Sequence, residues 1–154
     1  FLSCRLTSDV GPNGTVHTTS MADVTGAVLS LAQDVTYAVT AVVLFTSSAN
    51  TEGLVLGLTM PSVTYAGFEV VIANADNGTG QGFHGNIIAS GGKVVGTARP
   101  NATPATGPWV ATITGVIRPS AAGSLQLTYG TETAAGGATV TIKAGTIMKA
   151  EVIA

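Results

Sequence analysis

In three stretches of this chain, apolar residues recur at every second position. Leu54, Leu56, Leu58 and Met60 enclose Val55, Gly57 and Thr59. Leu125, Leu127 and Tyr129 enclose Gln126 and Thr128, and Ala138, Val140 and Ile142 alternate with Thr139, Thr141 and Lys143. Successive side chains of a strand point to opposite faces, so this period of two predicts strands with one buried face. Two further stretches, 37–46 (YAVTAVVLFT) and 109–117 (WVATITGVI), are apolar at nearly every position. They read as central strands covered on both sides, with Gly115 as a bulge or a point of close approach.

Turn chemistry separates the alternating stretches. Gly11-Pro12-Asn13-Gly14, Ser47-Ser48-Ala49-Asn50, Asp76-Asn77-Gly78, Gly91-Gly92, Pro100-Asn101-Ala102-Thr103-Pro104 and Gly136-Gly137 supply residues that accept positive φ or fix φ near that of a turn. Strands are therefore expected near 2–7, 24–31, 35–46, 53–60, 67–74, 82–89, 92–97, 108–118, 123–130, 137–143 and 146–153. The best helix candidate is 25–33 (TGAVLSLAQ), which follows Asp23 as an N-cap. Its Ala27, Leu29 and Leu31 alternate with Val28, Ser30 and Ala32, so it too reads as strand. With no repeat or linker, residues 1–154 are expected to form a single all-β domain. About ten short strands at this spacing predict a jelly-roll-like antiparallel β-sandwich.

Composition narrows the function. Apolar residues make up 45% of the chain, which argues against disorder. Charged residues make up only 9%, against roughly 25% in an average soluble domain. Small, weakly charged side chains lose little rotamer entropy when covered, so such a surface suits an assembly. The net charge is −2, and the six Lys and Arg are scattered, which gives no phosphate-binding footprint and no expected nucleic-acid partner. No run of about eighteen apolar residues occurs, and Phe1-Leu2-Ser3-Cys4-Arg5 lacks the pattern of a signal peptide. No membrane association is expected. Cys4 is the only cysteine and reads as a buried thiol.

The residues for common chemistries are sparse. His17 and His84 are the only histidines, no Gly-x-Ser-x-Gly elbow occurs, and no pair of metal ligands is closely spaced. The acids Asp9, Asp23, Asp34, Glu52, Glu69, Asp76, Glu132 and Glu151 are well separated and read as surface charge. Gly78-Thr79-Gly80-Gln81-Gly82 lacks the lysine of a phosphate loop. Asn74-Ala75-Asp76-Asn77-Gly78 offers one carboxylate, too little for a tight calcium site. The chain is therefore expected to be non-enzymatic, with no catalytic residue, no metal and no cofactor. Tyr65, Phe68, Phe83 and Trp109 are expected in the core or an interface rather than on a sugar. Loops 74–82 and 98–107 have little apolar anchoring and should project from the ends of the sandwich, where binding specificity usually resides. In the first of them Asn74, Asp76, Asn77 and Gln81 form the candidate binding loop.

The C-terminal third reads Gly115-Val116-Ile117-Arg118-Pro119-Ser120-Ala121-Ala122-Gly123-Ser124-Leu125-Gln126-Leu127, then Thr131-Glu132 and Val140-Thr141-Ile142-Lys143-Ala144-Gly145-Thr146. Upstream lie Asp34-Val35-Thr36-Tyr37, Leu44-Phe45-Thr46-Ser47 and Gly53-Leu54. This order of blocks resembles a jelly-roll domain of virion proteins of tailed bacteriophages. The resemblance implies a homotrimer in the virion: a capsid decoration or head-fibre domain whose partners are the major capsid protein or other virion proteins. The alternative is a receptor-binding tail-fibre tip that recognises a host surface glycan.

Overall fold

In the computed structural model, residues 1–49, 52–73, 82–96, 108–133 and 137–154 are described. Twelve strands are present among them and no α-helix. They are β1 (Leu2–Arg5), β2 (Val10–Asn13), β3 (Ala22–Leu31), β4 (Tyr37–Ser47), β5 (Leu54–Thr59), β6 (Val63–Ile72), β7 (Phe83–Ile87), β8 (Gly92–Val95), β9 (Trp109–Pro119), β10 (Gly123–Thr131), β11 (Val140–Ile142) and β12 (Ile147–Val152).

The strands form two antiparallel sheets in a sandwich-like all-β fold. The larger sheet has eight strands and runs β1-β12-β4-β9-β6-β7, with β11 extending along β4 and β2 beside β11. The smaller runs β3-β10-β5-β8. The period of two explains the core between them. From the larger sheet, Val39, Val43, Phe45, Phe68, Val70, Ile72, Ile113, Ile117 and Met148 point inward. From the smaller, Leu29, Leu31, Leu54, Leu56, Leu58, Leu125, Leu127 and Tyr129 meet them.

Residues 25–33 are strand rather than helix through Leu31. Their alternation is broken once, at Gly26, whose φ is +89°. There the β3–β10 register shifts, and the Gln126 side-chain amide donates to the carbonyls of Val24 (3.0 Å) and Ala27 (3.1 Å).

Two expectations need correction. Gly11-Pro12-Asn13 is not a turn but part of β2, which pairs with β11 through Asn13↔Val140 and Val10↔Ile142. Pro12 is tolerated there because β2 is an edge strand, where a missing N–H costs no ladder bond. The stretches 37–46 and 109–117 are covered on one face only. Val42 and Val110 are 41% and 42% exposed, and Thr40 and Thr114 are exposed as well.

β5 is closed on both sides, its Val55 and Gly57 buried with its leucines, and so is the end of β10 from Leu127 to Thr131. Residues 15–21 cross the outer side of the smaller sheet here. A Cβ at Gly130 would meet Thr15 O, His17 Cα and Met21 Sδ at 3.1–3.5 Å, and one at Gly57 would lie 3.3 Å from Met21 Cε.

Candidate functional site

Register determines what each end of the molecule carries. Phe45 pairs with Trp109, Ile72 with Phe83, and Val55 with Val95. The Ala73 amide donates to Val110 O, Gly96 to Leu54 O, Glu132 to Gly53 O and Ser48 to Thr139 O. The described residues flanking 50–51, 74–81, 97–107 and 134–136 therefore gather at one end of the sheets. The candidate residues Asn74, Asp76, Asn77 and Gln81 lie outside the described residues, as does all of 98–107.

A broad exposed surface lies on the larger sheet, on the face turned away from the core. Its residues form rows across neighbouring strands. Lys149 pairs with Thr40, Thr40 with Thr114, and Thr114 with Glu69, which is opposite Asn86. One pleat toward the loop end, Arg5, Ile147, Val42, Thr112, Val71 and His84 make the next row. One pleat the other way come Glu151, Ala38, Val116 and Gly67. Threonine, valine, alanine and glycine thus fill the centre, and charges stand toward the sides.

Lys149 and Glu69 are three strand steps apart, about 14 Å, too far to pair within one copy. Glu69 Oε1 instead lies 3.6 Å from His84 Nδ1, both side chains being mostly exposed. Lys149 Nζ lies 6.0 Å from the centre of the Phe1 ring. A shallow depression of about 400 Å³ opens here, lined by Phe1, Ala38, Val39, Thr40, Lys149 and Glu151.

The other singled-out side chains do not converge. His17 packs on β10, its Nδ1 3.1 Å from Thr131 O, on the opposite side of the sandwich from His84. Cys4 is half-buried against the core opposite Met148. Phe68 is core, Trp109 and Phe83 pack at its margin, and Tyr65 is 47% exposed with its hydroxyl 3.2 Å from Thr36 Oγ1. Among the described residues, no three His, Cys, Asp or Glu side chains gather in a metal-binding arrangement.

Glu52 corrects the expectation of surface charge, since it is only 1% exposed. Its carboxylate accepts from Thr133 N (2.9 Å) and Thr133 Oγ1 (3.1 Å), so the buried charge is hydrogen-bonded. Asp9 is exposed and receives Lys143 Nζ and the Ala144 amide (2.8 Å). The Lys143 hydrogen bond, then that of Ala144, holds its carboxyl below the usual 3.8.

The outer sheet face has no mark of its own in the order of residues along the chain. The available signal was the threonine at every second position among the valines, at Thr40, Thr112 and Thr114. That composition suits a half-exposed pleated surface better than a core. No protein-family model, curated protein or solved structure matches this chain.

Proposed function

We propose that this chain is a non-enzymatic structural protein of a tailed-phage virion, acting as a trimeric jelly-roll capsid decoration or head-fibre domain. The strand path is the observation that carries this reading. With β2, β11 and the β6–β7 hairpin set aside, eight strands remain. Lettered A to H in chain order, they run A-H-C-F in one sheet and B-G-D-E in the other. That order supports reading the fold as a jelly roll, an architecture shared by viral capsid and lectin domains.

Architecture alone does not assign a function. Composition supports decoration over an enzyme, because 9% charged residues leave little for acid–base chemistry and much uncharged surface to cover. In this reading the protein buries that surface against its own copies and the shell. Phage particles lacking the gene should assemble but break at lower temperature, and adding back the purified chain should restore them. Particles whose heat resistance is unchanged by the deletion would count against decoration.

The gathering of loop flanks at one end supports a second reading, a tail-fibre tip that holds a host surface glycan. Jelly-roll loops at such an end are where a lectin-like site would sit. A specific hit on a glycan array, lost on deleting residues 77–80 with the oligomer intact, would favour the tip.

A further inference from the structure

We infer that the outer face of the larger sheet is where copies of this chain meet, with Lys149 of one copy paired to Glu69 of the next. The inference rests on the trimer proposed above and names its contact surface.

Three observations carry it. No described residue covers the face, although strands β4 and β9 at its centre carry Val42, Thr114 and Val110 in the open. The space above Gly67 is open, since a Cβ there would meet nothing within 4 Å. Five strand spacings by nine residues give about 24 Å by about 30 Å, roughly 700 Å². Each partner of a stable complex buries about 800 Å².

The charges supply the choice of partner. Lys149 and Glu69 lie in one cross-strand row, on opposite sides of an uncharged centre. Three copies with strands along a common axis and this face inward bring the β12 side of one to the β6–β7 side of the next. Heights along the axis are preserved, so Lys149 meets Glu69 of the partner subunit. Glu151 falls about one pleat from the level of Arg118, again of opposite sign. The same chain thus carries both halves of the match, as a closed cyclic assembly requires.

Sedimentation velocity on the full chain tests this. The wild type should run as a trimer. Lys149→Glu or Glu69→Lys places like charges together and should weaken association by about tenfold or more, and the double swap should restore the trimer. Val42→Arg, at an exposed position in the centre, should give a monomer with an unchanged circular dichroism spectrum. A trimeric wild type whose variants all stay trimeric would overturn this inference and leave the trimer standing. Single swaps that dissociate, with no recovery in the double swap, would overturn the pairing. A wild type that stays monomeric at high concentration would overturn the trimer itself.

Discussion

Phe68 on β6 lies directly across from Gly115 on β9, and its ring occupies the space a side chain at 115 would need. A Cβ at Gly115 would stand 2.6 Å from Phe68 Cδ1 and would clash with Gly67 O. The register continues unbroken through Gly115 in both pairings, so the glycine serves close approach rather than a bulge. An aromatic ring covering a cross-strand glycine closes a gap in the sheet. Gly115→Ala should cost about 1–3 kcal/mol through overpacking against buried neighbours. Gly67→Ala, next to it but open in the single copy, should change monomer stability by no more than about 0.5 kcal/mol. Urea denaturation of both variants measures the contrast, and equal costs would contradict this packing.

Glu52 holds Thr133 across the loop end of the molecule. Hydrogen bonds to a charged group contribute about 1.5–3 kcal/mol, so Glu52→Ala should destabilise by about that amount in the same assay. Asp34→Ala would be a poor control, because the positive φ of 60° at Asp34 adds a backbone effect. Glu151→Ala, at an exposed position, should be near neutral for monomer stability. A Glu52→Ala variant as stable as wild type would show that the buried carboxylate is dispensable.

Asp9 links the segment after β1 to the turn before β12. Its folded pKa lies below 3.8, so the clamp is present above that value and is lost as pH falls through the lower folded one. The Ala144 amide resonance should therefore titrate with an apparent pKa below 3.8, and Lys143→Ala should move it upward. An Ala144 shift that titrates above 3.8 would contradict the clamp.

Tyr129 is buried, and desolvation raises its phenol above 10.0. The unfolded chain then loses this proton first. Stability is unaffected by it below pH 10.0 and falls as pH rises from there toward the folded value. The urea midpoint should drop more steeply between pH 9 and 11 for wild type than for Tyr129→Phe. Parallel profiles would remove Tyr129 as a cause of alkaline unfolding.

Much of the fold was legible in the residues, for a physical reason. Leu125, Leu127 and Tyr129 alternate because one face of β10 is buried, and burial is what a period of two records. Where pairing is set by distant partners, the local pattern misled. Gly11-Pro12-Asn13 has turn chemistry and becomes strand only because β11 lies beside it. Val55 and Gly57 looked like an open face, and residues 15–21 cover them. The rows from Lys149 to Glu69 join strands from four parts of the chain, so no local window contains them.

The most direct test of the proposed role is a reconstruction of the virion proposed to carry this chain. We expect density for the chain on the outer surface of the capsid, in groups of three around local three-fold axes, with the larger sheets facing one another inside each group. Density at the tail tip, or a particle without the chain, would contradict the decoration reading.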